Sequence, residues 1–260
     1  MGMGDDEAVT AVRRWHEAAA GTVLLDGFHA LKHALRFGAE VRIAVTSDKA
    51  AALALADDLA GDLTAVIEER LVEVSAKTLR DLVPRVHPTG VAALAVRRDR
   101  RGNLDELAGP SRSAPVVVLD NPRNLGNVGA VVRLAAGFGV AGVVTTGDID
   151  PWHPNAVRSG AGLHFATAVE RLTSDDLPPG PLYALDAEGE DIRSVVIPDD
   201  ALLAFGSERH GISPEVRKRA TRLVALPMRP QVSSYNLATS VAMALFHWGG
   251  PVQAPPAQPR

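Results

Sequence analysis

The sequence contains no cysteine, and aromatic residues make up only 4% of its 260 residues. Without cysteine the protein cannot form a disulfide, a thiolate metal site or a cysteine nucleophile. A small aromatic content argues against a broad platform for stacking nucleobases. The absence of cysteine fits a reducing compartment, so we expect a cytoplasmic location.

Long hydrophobic runs and phosphate-binding glycine motifs are also missing. No apolar run approaches the roughly 18–20 residues of a membrane span, so we expect no membrane partner. The first seven residues, Met-Gly-Met-Gly-Asp-Asp-Glu, lack the basic start and apolar stretch of a secretory signal. No segment matches Gly-x-Gly-x-x-Gly or a P-loop, which argues against an enzyme that uses a dinucleotide or a nucleoside triphosphate.

Neither sign of charge dominates the sequence. Lys and Arg number 27 and Asp and Glu number 31, which gives a net charge of −4. Nucleic-acid-binding domains usually carry a basic face, so the overall charge is weak evidence against RNA binding. Whether RNA binds depends on local clusters of basic residues rather than on the net charge. The candidates are Arg97, Arg98, Arg100, Arg101, Arg123, Arg158, Arg209 and the cluster Arg217, Lys218, Arg219 and Arg222.

Strand and helix patterns alternate over the first hundred residues, which is typical of an α/β fold. Strands are predicted at 22–26, 41–46, 71–74 and 90–96, and helices at 5–20, 28–37, 49–60 and 76–82. A run of arginines and a segment rich in Pro and Ser then predict a domain boundary between 101 and 115. We expect domains at 1–107 and 114–250, followed by a disordered, proline-rich tail at 251–260.

The second half predicts a parallel sheet, because segment 116–119 is entirely apolar, as buried parallel strands are. Further strands are predicted at 143–146, 182–185, 202–206 and 223–226, and helices at 127–138, 154–161, 214–220 and 234–248. Open parallel sheets bind ligands beyond the carboxyl ends of their strands. The turns after these strands are therefore the candidate site.

Three of these turns carry unusual polar residues. The first contains Asn127, where a helix is expected to begin, followed along that helix by Arg133. The second is Gly206-Ser-Glu-Arg-His-Gly211, and the third runs from Leu226-Pro-Met to Ser-Ser-Tyr-Asn236. Each turn alone is also compatible with an ordinary helix cap or a solvated surface turn.

As a set and in this order, the three turns resemble the motifs of SpoU (TrmH-like) RNA methyltransferases of the SPOUT superfamily. The resemblance covers residues 114–249, and Arg158-Ser-Gly-Ala-Gly162 is similar to a family segment between the first two motifs. It implies a parallel-sheet α/β domain with a deep trefoil knot, and a homodimer formed through that domain whose site is completed by the second copy. It also implies S-adenosylmethionine as the methyl donor and an RNA ribose 2′-hydroxyl as the acceptor, without a metal.

The first half resembles the small ribosomal-protein-like α/β domain that accompanies this family. The similar segment begins at Leu25-Asp-Gly-Phe-His, where many members carry a glutamate near the position of Asp26. The resemblance implies that residues 1–107 bind the RNA substrate, and by analogy it favours rRNA over tRNA. A domain that only packs, without touching RNA, is the alternative.

The resemblance also assigns roles to single residues. The implied catalytic residues are Arg133, Asn127, Glu208, Ser234 and Asn236. The implied cofactor-binding residues are Gly206, Leu226, Met228, Asn236 and Leu237, and the candidate RNA-binding residues are Arg123, Arg158 and Arg209. Because a guanidinium stays protonated, Arg133 is a poor base; we expect it to stabilise the developing alkoxide and to orient a neighbouring phosphate.

Two functions of other classes remain as alternatives. A non-catalytic RNA-binding or ribosome-assembly factor could retain this fold, although the intact set of polar site residues argues against it. A nucleotide-dependent α/β enzyme is disfavoured by the missing glycine motifs. The sequence does not decide whether the methylation confers antibiotic resistance.

Overall fold

The computed structural model describes residues 3–109 and 112–249, and it divides into two compact units. Unit 1 comprises the chain up to Asp99 together with Trp152–Ala166, and unit 2 comprises Arg100–Pro151 and the chain from Thr167 onward. The predicted disordered tail, 251–260, lies outside the described residues.

Every predicted helix and strand is present, and the helices Thr64–Arg70 and Arg100–Ala108 and the strand Ala168–Arg171 are additional elements that were not predicted from the sequence. The helices are α1 (Met3–Ala19), α2 (Phe28–Arg36), α3 (Lys49–Ala60), α4 (Thr64–Arg70), α5 (Ala76–Leu82), α6 (Arg100–Ala108), α7 (Leu125–Phe138), α8 (Pro154–Ser159), α9 (Pro214–Arg219) and α10 (Leu237–Trp248). The strands are β1 (Thr22–Asp26), β2 (Val41–Thr46), β3 (Leu71–Glu73), β4 (Val91–Val96), β5 (Val116–Leu119), β6 (Gly142–Thr145), β7 (Ala168–Arg171), β8 (Leu182–Asp191), β9 (Leu202–Phe205) and β10 (Arg222–Ala225). Within the described ranges, no helix is both long enough and apolar enough to cross a membrane.

Unit 1 is built on a four-stranded sheet in the order β1-β4-β2-β3. Strand β4 is antiparallel to both of its neighbours, whereas β2 and β3 are parallel. One face of this sheet packs against α1 and α5 through a core that includes Trp15, Leu79 and Leu94. Helix α5 starts where Ser75 accepts a hydrogen bond from the amide of Thr78 at 3.0 Å, as an N-cap residue should.

Residues 152–166 come from the second half of the sequence but belong to unit 1. Arg158 on α8 forms an ion pair with Asp26 at the end of β1, at 3.2 Å, and both side chains are mostly buried. Gly162 has φ +73°, and a Cβ atom there would lie 2.5 Å from the carbonyl oxygen of Ala30. This approach to α2 is therefore possible only for glycine.

Unit 2 contains a six-stranded sheet in the order β10-β8-β9-β5-β6-β7, and every pair of neighbours is parallel. All four residues of β5 and all four of β9 are buried, which explains their continuous apolar sequences. The chain runs outward from β5 through β6 to β7 and then returns to the other side of β5. The strand order thus reverses between β5 and β9. The trefoil knot implied by the family stays a prediction.

The boundary between the units differs from the expected one. Helix α6 lies in the segment that the composition predicts to end the first domain and begin the linker, yet it belongs to unit 2. Arg100 and Asn103 both bind the carboxylate of Glu170 on β7, at 2.7 and 2.9 Å, and Leu107 is fully buried. These contacts reach residues about 70 positions away in sequence, so the local composition does not reveal them.

Candidate functional site

A cavity of about 350 Å³ lies in unit 2 at the carboxyl ends of the strands, beside the point where the strand order reverses. Such a reversal is where open α/β sheets bind their ligands. The cavity is lined by residues that follow β8, β9 and β10 and by the start of α10. The lining includes all five predicted cofactor-binding residues, Gly206, Leu226, Met228, Asn236 and Leu237, together with Glu208 and Ser234.

The loop after β9 is a closed turn. Ser207 and Gly211 exchange two backbone hydrogen bonds, each of 3.0 Å, and this pair returns the chain on itself. A Cβ atom at Gly206 would overlap the backbone of Gly211 and Ile212. Glycine is therefore required at position 206 for the turn to close against the end of the strand.

Three side chains join the three loops. The amide nitrogen of Asn127 donates a 2.7 Å hydrogen bond to Oε1 of Glu208. The amide of Asn236 donates to Oδ1 of Asn127 at 3.2 Å, and the backbone N–H of Arg123 lies 3.4 Å from Oε2 of Glu208. Asn127 thus connects the loops that follow β5, β9 and β10, which are far apart in sequence.

The cap of α7 differs from the prediction. Asn127 was expected to begin the helix, but Asn124 is the N-cap and accepts hydrogen bonds from the amides of Gly126 and Asn127 at 2.8 and 3.2 Å. An Asn side chain at the cap is occupied by the helix's own N–H groups. Because Asn124 fills that role, the Asn127 side chain remains available for Glu208.

The third loop also begins its helix later than predicted. α10 starts at Leu237 rather than near 234, and Asn236 is its N-cap, accepting from the amide of Ala238 at 2.9 Å. The oxygen of the Asn236 side chain serves the helix, while its nitrogen reaches Asn127. Ser234 therefore lies in the loop before the helix, where it lines the cavity.

Arg133 lies away from this arrangement. It is exposed on α7 and does not line the cavity. At about 100° per residue, a position six residues after Asn127 points about 120° away from it around the helix. The guanidinium of Arg133 forms no hydrogen bond or ion pair with any residue in 3–109 or 112–249. The pocket of a single chain therefore does not contain the predicted catalytic arginine.

The three predicted RNA-binding arginines have different surroundings. Arg123 and Arg209 are both exposed. The backbone of Arg123 lies close to the Glu208 carboxylate, and Arg209 follows Glu208 in the sequence. Their guanidinium groups bind no partner in the described part of the chain. Arg158, in contrast, is held by Asp26 in unit 1, so its charge is already balanced.

Two of the four basic residues in the cluster at 217–222 pair with acidic residues of β8. Arg217 pairs with Asp186 and, at 2.6 Å, with Glu188, while Arg222 pairs with Glu190 at 2.9 Å. Paired charges contribute little to the attraction of a polyanion. Arg217 and Arg222 are therefore weak candidates for RNA contact. Arg219 donates to the carbonyl of Ser174, and the side chain of Lys218 pairs with no acidic residue in the described part of the chain.

Sequence reasoning missed two acidic residues of the site. Asp120 is buried after β5, where it accepts hydrogen bonds from the Thr146 hydroxyl at 2.7 Å and the Ser213 amide at 2.6 Å. It thereby ties together the segments after β5, after β6 and before α9. Asp186 lines the cavity. Both residues directly follow a predicted strand, so the strand-end rule could have identified them.

A parallel α/β sheet with a pocket assembled from three strand-end loops defines a ligand-binding domain of the kind that the sequence predicts. Residues 114–246, just over half of the chain, match the SpoU rRNA Methylase family. The chain belongs to that family, and the family prediction is confirmed. Among the described residues, no group of three His, Asp or Glu side chains could hold a metal ion.

The relatives agree with this membership. The chain is 30% identical over 187 residues to an uncharacterized tRNA/rRNA methyltransferase of Synechocystis sp.. This alignment covers 66% of this chain and 65% of that protein. It is 27% identical over 254 residues to the 23S rRNA (adenosine(1067)-2′-O)-methyltransferase of Streptomyces laurentii, covering 92% and 90% of the two chains. The chain therefore spans slightly less than two thirds of the first relative and most of the second.

Among solved structures, the fold is similar to that of the SpoU methyltransferase AviRb from Streptomyces viridochromogenes, crystallised in complex with AdoMet. The TM-score is 0.71 at 20% identity, over 91% of this chain and 96% of that chain. This similarity confirms the α/β fold class.

Proposed function

We propose that the protein transfers a methyl group from S-adenosylmethionine to a ribose 2′-hydroxyl of RNA, and that the RNA is rRNA rather than tRNA. One observation carries the proposal: Asn127 of the first family motif is hydrogen-bonded both to Glu208 of the second and to Asn236 of the third, and Glu208 and Asn236 line a single cavity. The Streptomyces laurentii relative is a 23S rRNA 2′-O-methyltransferase that aligns with 92% of this chain, which supports the rRNA substrate.

The cavity suits S-adenosylmethionine in size and chemistry. Its volume of about 350 Å³ falls within the range of roughly 300–1,000 Å³ that small-ligand pockets occupy. Leu226, Met228 and Leu237 supply apolar surface for an adenine ring. The carboxylate of Glu208 also lines the cavity and complements a ligand with positive charge, whereas the carboxylate of Asp186 is already paired with Arg217.

When bound, S-adenosylmethionine supplies an electrophilic methyl group on a positively charged sulfur. The remaining work is to position the ribose hydroxyl and to stabilise the charge that develops on its oxygen. Arg133 is suited to both tasks, because a guanidinium can bind a phosphate through two N–H groups and face an alkoxide with another. A phosphate oxygen or a water molecule takes the proton, since a guanidinium cannot.

In this proposal Arg133 acts in the pocket of a second copy of the chain. It is exposed and lies outside the cavity of its own chain, as a residue that completes a neighbouring site would. Unit 2 also exposes two apolar side chains in neighbouring segments, Val196 (87%) and Phe246 (80%). The segments are joined by a 2.8 Å hydrogen bond between His247 and the carbonyl of Val195. We assign the region of Val196 and Phe246 as the surface through which the two copies associate.

Unit 1 acts as the RNA-binding part, as its resemblance to a ribosomal-protein-like domain implies. An rRNA substrate also favours a cytoplasmic location. Both statements depend on the RNA substrate, and the substrate depends on the chain being a methyltransferase. Binding of the methyl donor is therefore the first point to test.

The first test is a calorimetric titration with S-adenosylhomocysteine, with NADH and ATP as controls. Selective micromolar binding is expected. If NADH or ATP binds and S-adenosylhomocysteine does not, the methyltransferase assignment fails. If S-adenosylhomocysteine binds but no RNA is methylated, the chain is instead a non-catalytic RNA-binding factor.

The second test separates action within one chain from action across two chains. Arg133→Ala and Asn236→Ala should each abolish methylation, and Arg133→Ala should leave the affinity for S-adenosylhomocysteine nearly unchanged. If the site is shared, random exchange of the two inactive proteins restores about a quarter of the wild-type activity, because each mixed dimer contains one intact site. If no activity returns although mixed dimers form, Arg133 does not act across the dimer.

A further inference from the structure

Unit 1 contains a second cavity, of about 340 Å³, that no step of the proposed reaction uses. It lies beside α5 and the segment that follows this helix. Its lining consists of Ser47, Ala76, Leu79, Arg80, Val83, Pro84, Arg85 and Val86. No acidic side chain is among them, so the cavity does not suit a cation.

The inner part of the cavity is apolar. Leu79 and Val83 are buried members of the core between the sheet and α5, and Val86 packs against the same core. Ser47 is half-buried after β2, and its hydroxyl forms no hydrogen bond with a described residue. The cavity therefore offers an apolar surface with one available polar group, which is the surface that the flat, polar-edged ring of a nucleobase fits.

Two uncompensated cations lie at the edge of this cavity. Arg80 and Arg85 are exposed, and neither guanidinium binds any partner in 3–109 or 112–249. Other arginines of unit 1 are paired: Arg36 with Asp62 at 2.5 Å and Arg42 with Glu40 at 2.9 Å. Two free guanidinium groups beside one cavity, in a chain of net charge −4, form a local anion-binding surface.

We propose that this cavity binds one unpaired nucleotide of the RNA substrate, an inference that rests on the proposed function. The base lies against Leu79, Val83 and Val86, and Ser47 contacts its polar edge. Arg80 and Arg85 bind the adjoining phosphates. Proteins read unpaired RNA by holding splayed-out bases against aromatic side chains or guanidinium planes. In a chain with few aromatics, the apolar inner surface of the cavity takes that role.

The test compares two double variants of the full-length protein that remove the same charge. Arg80→Gln/Arg85→Gln removes the free cations, and Arg13→Gln/Arg42→Gln removes two exposed arginines of unit 1 that pair with Glu17 and Glu40. The probe is a mixed-sequence, 20-nucleotide single-stranded RNA, titrated at several salt concentrations. Two lost phosphate contacts should make the slope of log K against log[salt] less negative by about 1.4, which weakens binding about 25-fold at 0.1 M salt. The control should keep the wild-type slope.

A second measurement locates the base. RNA that contains 4-thiouridine should cross-link to residues 76–86, and Ala76→Trp, which fills the cavity from an exposed position on α5, should abolish that cross-link. Fully paired RNA should not cross-link there. Equal slopes for the two double variants, or cross-links that survive in Ala76→Trp, would overturn the proposal. The affinity for S-adenosylhomocysteine, measured in the same samples, reports separately on the methyltransferase pocket.

Discussion

Replacing Gly206 by alanine tests whether the turn after β9 forms the pocket. The added Cβ would come well within 3.0 Å of backbone atoms of Gly211 and Ile212. These atoms are main chain, so no flexible side chain can move aside, and the Ser207–Gly211 turn has to open. Overpacking of this kind costs roughly 1–3 kcal/mol or more. An opened turn also displaces Glu208 from Asn127.

Gly137 provides the matched control. It lies in the last turn of α7, is exposed, and has nothing within 4 Å of the added Cβ. The same substitution there should stabilise the protein by about 0.4–1 kcal/mol, because alanine loses less backbone entropy on folding. The two Gly→Ala changes therefore have opposite expected signs.

Urea unfolding followed by circular dichroism, and titration with S-adenosylhomocysteine, measure both effects. Because the chain has two units, the transitions should be fitted separately if they do not coincide. We expect Gly206→Ala to lower the unfolding midpoint of unit 2 and to weaken ligand binding at least about tenfold, since 1.4 kcal/mol corresponds to that factor. A variant with wild-type stability and affinity would refute the argument that the closed turn forms the pocket.

Three further outcomes are expected. Asn127→Ala should weaken S-adenosylhomocysteine binding by about tenfold through its lost hydrogen bonds to Glu208 and Asn236, whereas an unchanged affinity would show that the link is not needed for binding. Burial lowers the pKa of His33; the unfolded chain therefore binds this proton first as pH falls below about 6.5, and stability drops. His33→Asn should reduce that drop between about pH 7.5 and about pH 5.5 in thermal unfolding. Light scattering should give twice the 27.4 kDa chain mass, and Phe246→Glu should reduce it; a wild-type monomer that methylates RNA would contradict the shared site.

The strands could be predicted from the sequence because buried parallel strands are continuous apolar runs. Val116–Leu119 and Leu202–Phe205 are of this kind, and both are fully buried. Helix α6, in contrast, has the sequence Arg-Arg-Gly-Asn-Leu-Asp-Glu-Leu-Ala, which is mostly polar. The helix is held by contacts with Glu170. A local sequence pattern cannot predict a partner that lies about 70 residues away.

The sequence indicated which loops carry the site but not which atoms meet. Asn127 and Glu208 are 81 residues apart, and they meet because β9 lies next to β5 in the sheet. That adjacency depends on strand order, which hydrophobic periodicity does not encode. Capping alone could not distinguish Asn124 from Asn127, since both are asparagines near a helix start.

The membership of residues 152–166 in unit 1 has a consequence for how the gene can be divided and recombined. A fragment that ends at Asp99 lacks α8 and leaves Asp26, at the end of β1, without its ion-pair partner Arg158. During synthesis, unit 1 cannot be completed until residue 166 has left the ribosome, by which time part of unit 2 is already outside. An exchange of the first hundred codons with another gene would likewise need a compatible segment from the middle of the gene. A recombined gene therefore has to keep the two segments of unit 1 compatible with each other, although each unit has its own sheet.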